Sequence, residues 1–247
     1  MPSPPPPTED TTQTTGLDQA ALMAALRARI ARLDRSAPTP HAGLPLSPAI
    51  DAALPGGGLA RAALHEVLAE EPGAAAGFCA LLLARTGGTV FWIAPEPDAW
   101  PPGLIRFGLA PADLVLVQAP RRADALWAME ESLRCPGVAG ALLLIETLDM
   151  TAARRLQLAA EAGGGIGLLL RPAAAAVSAT VAMTRWRVAA VPGDGSAQAL
   201  GDPRWRLVLE RGRGAKPQSW DVTWRAAAER LEVEGAALLR PASRRHA

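Results

Sequence analysis

The stretch Leu64-His65-Glu66-Val67-Leu68, followed after Ala69 by Glu70-Glu71-Pro72-Gly73-Ala74-Ala75-Ala76-Gly77-Phe78-Cys79, decides the fold. Its first part reads as a short buried strand, and its second holds the glycines of a phosphate-binding loop leading into a helix over Phe78 to Arg85. Such a loop surrounds phosphates with backbone N–H groups, sets a Lys on the β/γ-phosphates and a Ser/Thr hydroxyl on Mg²⁺. Here Phe78 and Cys79 follow the last glycine, where Lys and Ser/Thr belong. Gly73 and Gly77 are kept while the reacting groups are gone. The sequence therefore predicts a degenerate loop with no nucleotide site, no cofactor, no metal and no catalytic residue.

Composition offers a simpler account, which fails at this position. Lys216 is the single lysine among 25 basic residues, as in a GC-rich genome where Lys drifts to Arg. That drift empties the surface of lysine, but the broad planar fork of Arg does not replace a compact ammonium inside a tight loop. No Arg stands there either.

Working outward, a hydrophobic content of 49% and a charged content of 20% suit a globular chain, and 247 residues suit one α/β domain with tails. The net charge of +1 hides an asymmetry: up to Leu170 there are 12 Arg against 17 acids, and from Arg171 on 12 Arg plus Lys216 against 7 acids. Cys79 and Cys135 form no CxxC and have no clustered His, so buried, reduced thiols are expected. Met1 to Thr15 has neither a basic nor an apolar signal region, and no stretch approaches a membrane span. A soluble, cytoplasmic protein is expected.

Residues 1–16, with Pro4 to Pro7 and a Thr cluster, read as a disordered tail. Over 17–35, Leu22, Leu26, Ile30 and Leu33 line one face of an amphipathic helix, and 36–48 form a Pro-rich linker. That helix is either docked on its own domain or offered to a partner. From 49 to 233 apolar runs at Leu64–Leu68, Thr89–Ala94, Leu114–Gln118, Ala139–Ile145 and Gly167–Leu170 alternate with helical segments at Phe78–Arg85, Pro102–Phe107, Ala123–Leu133 and Thr151–Ala162. This order predicts a doubly wound parallel sheet, with Thr151 as an N-cap and Gly163 to Gly165 as a helix stop. Then Arg185-Trp186-Arg187, Arg204-Trp205-Arg206 and Trp220-Asp221-Val222-Thr223-Trp224 alternate polar with apolar, as antiparallel edge strands with one wet face do. Period two puts tryptophans in the core and arginines in water, which argues against a base-stacking strip. Residues 234–247 read as a basic tail.

The run "LPLSPAIDAALPGGGLARAALHEV" (Leu44 to Val67), with "TRWRVAAVPG" (Thr184 to Gly193) and "PRWRLVLERGRG" (Pro203 to Gly214), resembles the ImuA family, RecA-like members of an inducible mutagenesis cassette and distant relatives of the division inhibitor SulA. The resemblance implies a RecA-like α/β fold: a mostly parallel sheet with antiparallel C-terminal edge strands, preceded by the amphipathic helix. It implies a non-hydrolytic accessory in SOS-induced, error-prone translesion synthesis, acting with an ImuB-like Y-family protein, a DnaE-type polymerase and RecA. Glu96 matches the water-activating Glu of active recombinases, Glu146 stands at the Walker B strand end, and Arg211 and Arg213 resemble cations that reach a neighbouring nucleotide. Without Lys and metal these read as vestigial or structural.

Neither Gly56 to Gly58 nor Gly163 to Gly165 makes a dinucleotide fingerprint, and His41, His65 and His246 belong to no hydrolase constellation. The loop Arg171 to Thr184 is poor in cations, so contact with DNA is expected to be weak or indirect. The expected working surfaces are the Leu22/Leu26/Ile30/Leu33 face and the basic end with Arg244 and Arg245, the helix first, because apolar anchors fill grooves while tail charges mainly steer. A divergent DNA-dependent ATPase and a SulA-like division inhibitor are the competing expectations.

Overall fold

The computed structural model describes residues 43–96, 99–177, 179–193 and 201–238. The expected disordered tail, the N-terminal helix and most of the basic end lie outside the described residues. The chain divides into two compact units, Met1–His41 and Ala42–Ala247, and every described residue belongs to the second.

Among the described residues nine strands form one sheet: β1 (Ala63–Ala69), β2 (Val90–Ala94), β3 (Leu114–Gln118), β4 (Gly140–Leu144), β5 (Ile166–Pro172), β6 (Thr184–Ala190), β7 (Arg204–Gly212), β8 (Gln218–Arg225) and β9 (Arg230–Leu238). Their order is β3-β2-β4-β5-β1-β6-β7-β8-β9. The first six pair in parallel and the last three antiparallel. The helices are α1 (Pro48–Asp51), α2 (Pro72–Ala84), α3 (Pro101–Leu104), α4 (Arg122–Arg134) and α5 (Met150–Gly163). The mostly parallel sheet with its antiparallel C-terminal edge is as the sequence predicts.

β6 departs from its alternating pattern. It lies parallel to β1, His65 opposite Thr184 and Glu66 opposite Arg185, and only its far side is antiparallel, to β7. Arg185 is consequently buried rather than wet. The tryptophans behave as period two requires: Trp186, Trp205, Trp220 and Trp224 are all buried. Trp186 and Trp205 close on Phe78 of α2, with ring centroids at 6.1 and 6.0 Å. A second cluster, with Leu64, Ile93, Met129, Leu133, Leu143 and Leu156, fills the opposite face of the sheet under α4 and α5.

Other local expectations change. Asp149, not Thr151, caps α5, its carboxylate accepting from the Ala152 N–H at 2.8 Å. Gly164 ends the helix in the left-handed region at φ 81°, a conformation that favours glycine. Cys79 is buried but Cys135 is exposed. The packed unit also outruns its expected limits: Leu44 and Leu46 are core residues, and β9 carries the sheet to Leu238.

Candidate functional site

Strand β1 ends at Ala69 and α2 begins at Pro72, so only Glu70 and Glu71 separate them. Proline at the first helical position explains the early start, because its fixed φ suits the first turn and its missing N–H would have no intrahelical partner there. Gly73 and Gly77 thus lie inside a 13-residue helix rather than in a loop. Gly77 is there for packing: a Cβ would come within 2.7 Å of Cζ of Phe107, whose ring stacks on Trp205. Glu71 accepts from the Ala190 N–H at 2.8 Å, and Glu70 pairs with Arg187. Two carboxylates therefore stand at the passage from β1 into α2, one of them paired with a guanidinium.

Glu96 and Glu146 follow the ends of the neighbouring parallel strands β2 and β4, at the carboxyl edge of the sheet, and both are exposed. Glu146 borders a cavity of about 340 Å³ walled by Pro95, Pro120, Arg122 and Pro172. Arg122 is drawn aside by Asp149 at 2.9 Å. The Ala152 N–H first, and Arg122 next, hold the Asp149 carboxyl below its ordinary value. Among the described residues no group of three His, Cys, Asp or Glu is placed to hold a metal ion. The partner-facing candidates Leu22, Leu26, Ile30, Leu33, Arg244 and Arg245 lie outside the described residues.

Two polar arrangements in the middle of β1 escaped the sequence reading. Glu66 is fully buried, and its carboxylate accepts from Arg171 of β5 and, at 2.6 Å, from Nε of Arg185 of β6. Arg171 also donates to the Glu146 carbonyl at 2.9 Å from Nη2. The buried cluster thereby ties down the strand end that carries Glu146. On the other face the Trp186 indole N–H donates to Thr184 Oγ1 at 2.7 Å, the Thr184 hydroxyl donates to His65 Nδ1 at 2.7 Å, and His65 Nε2 donates to the Ala60 carbonyl at 2.8 Å. A carbonyl can only accept, which sets the tautomer. Burial lowers the His65 pKa to about 4.

The strand order, the parallel core and the antiparallel edge define a RecA-like α/β domain. The RadB recombinase has this fold: the two superpose with a TM-score of 0.53 over 72% of this chain and 93% of that one, at 13% identity. SulA from Pseudomonas aeruginosa aligns with 44% of this chain and 97% of its own, at 27% identity and a TM-score of 0.39, too loose to carry an inference. No family model matches the sequence. Protein ImuA of Caulobacter vibrioides is 40% identical over 163 residues, 59% of this chain and 67% of that protein. The chain belongs to the ImuA family.

Proposed function

We propose that this protein is a non-hydrolytic accessory of SOS-induced, error-prone translesion synthesis, bridging an ImuB-like Y-family protein, a DnaE-type polymerase and RecA. The two-residue passage from β1 into α2 carries the reading. It leaves no room for a loop around phosphates, and it sets Glu70 and Glu71 at the helix start instead. Glu96 and Glu146 remain at the carboxyl edge, and among the described residues no Lys stands beside them to act on a nucleotide. A domain of this kind works through its surfaces, and the Leu22/Leu26/Ile30/Leu33 face is the one assigned to partners.

The full-length protein tests both halves of the proposal. Titration with a fluorescent ATP analogue, Mg²⁺ and single-stranded DNA should give neither saturation nor turnover, whereas saturable turnover would establish the divergent-ATPase reading instead. Affinity purification after DNA damage should recover the polymerase partners with the wild type and lose them with Leu26→Asp/Ile30→Asp. Recovery unchanged by that double substitution removes the helix from the interface.

A further inference from the structure

Two groups of described cations differ in their pairing. On the antiparallel strands, Arg187 joins Glu70 and Glu210, Arg204 meets Glu234, Arg206 chelates Asp221 at 2.7 and 2.8 Å, and Arg225 spans Asp202 and Glu232. The end of the sheet where β1 and β6 begin is different. There Arg61, Arg213 and Lys216 have no ion pair or side-chain hydrogen bond among the described residues, and Arg211 donates only to the Thr180 carbonyl, at 2.9 Å.

Backbone pairing brings these four cations to one edge. The Met183 N–H donates to the Leu64 carbonyl at 2.8 Å, and the Arg213 N–H donates to the Met183 carbonyl at 2.9 Å. The turn after β7 therefore lies about 10 Å, two strand spacings, from the start of β1. Arg61 stands just ahead of that start. The acids around it have partners of their own: Glu66 meets Arg171 and Arg185, Glu210 meets Arg187, Asp51 accepts from the Leu46 N–H, and Glu161 accepts from Gln157, whose Oε1 accepts from the Leu64 N–H.

The chemistry of the edge selects its occupant. A protein interface gains affinity from a desolvated apolar or aromatic centre. The exposed large apolar side chains, Trp100, Ile105, Val115, Leu116, Trp127, Met150 and Leu158, all lie on α3 to α5, β3 and the adjoining turns. What adjoins the cations is small: Gly212, Gly214 and Ala215. A phosphodiester backbone needs only cations and close approach. We infer that Arg61, Arg211, Arg213 and Lys216 form an edge that binds the phosphate backbone of nucleic acid. Among the described residues no exposed aromatic side chain adjoins this edge to stack on bases, so the binding is indifferent to sequence and steeply dependent on salt. This edge is distinct from the strip of Arg185, Arg187, Arg204 and Arg206, whose guanidiniums are already paired. The inference stands independently of the bridging role.

The test is fluorescence anisotropy of the full-length protein with a labelled oligothymidylate and a labelled duplex of equal length, across a salt series. Four contacts to a single strand should give a slope of log Kobs against log salt of roughly −2.8, at about −0.7 per phosphate. Arg211→Gln/Arg213→Gln should flatten that slope by about 1.4, while Arg206→Gln/Asp221→Asn should leave it unchanged. On either probe, that pattern supports the assignment. No binding at low salt overturns it. So does a slope untouched by the first pair but lost in Arg244→Gln/Arg245→Gln, or capture of polyglutamate in preference to both oligonucleotides.

Discussion

In β2, β4, β5 and β1 the sheet is covered on both faces, by α2 on one side and by α4 and α5 on the other, whereas the antiparallel strands β7 to β9 turn one face to the tryptophan core and carry ion pairs on the other. Polar groups consequently meet opposite conditions in the two regions. Within the covered part a carboxylate lies beyond the reach of water and must be fully matched, as Glu66 is by two guanidiniums. On the open face Arg206 and Asp221 compete with solvent, and their pairing gains little over hydration. The lesson is that the number of salt bridges says little about what holds this sheet together; their depth decides.

The largest effect should therefore come from Glu66. Glu66→Leu takes the carboxylate away from two buried guanidiniums and should cost about 3–5 kcal/mol, the usual result of breaking a buried pair on one side. For a domain of this size that lowers Tm by on the order of 10 °C. Replacing all three together, Glu66→Leu/Arg171→Met/Arg185→Met, should recover most of the loss, because no uncompensated charge remains. Equilibrium denaturation of the two variants measures both quantities, and a single-variant loss under about 1 kcal/mol would break the contrast.

His65 sharpens it at intermediate size. Its folded pKa is lowered from 6.5 to about 4 by burial, so between those values the unfolded chain takes up a proton that the native state refuses. The stabilisation is fully present above pH 6.5 and is lost as pH falls toward 4. It amounts to roughly 3 kcal/mol over the window. Denaturation midpoints across this range should fall more steeply for the wild type than for His65→Gln, and parallel curves would show that the imidazole already titrates freely in the native state.

The same contrast explains what could be read in the chain beforehand. Leu142-Leu143-Leu144 and Leu168-Leu169-Leu170 announce strands covered on both faces, and the alternation around Trp205 and Trp220 announces the core face of the open part. Glu66 and Arg185 escaped because their match spans 119 residues and no local pattern records it. One signal was available: Glu66 stands beside His65 in a strand whose other residues are apolar, and an interior acid requires a partner. The helical setting of Gly73 and Gly77 escaped for a different reason. Gly73 and Gly77 suggested a loop, yet Pro72 was itself the helix-start mark, and Gly77 serves the Phe107 ring.

The smallest effect belongs to the open face, and its size is what makes the contrast quantitative. Asp221 lies below its ordinary pKa, with the Arg206 hydrogen bond as the largest cause. A lowered carboxyl pKa means stability that is present above the unfolded value and fades as pH falls through the folded one. With Arg206 open to solvent, ordinary salt screens that term. Arg206→Ala should thus leave the denaturation midpoint within measurement error at physiological ionic strength, and a double cycle with Asp221→Ala should find no coupling in high salt. A coupling that persists there would mean that the open face is shielded from solvent in the working protein, and the buried and exposed pairs would then obey one rule rather than two.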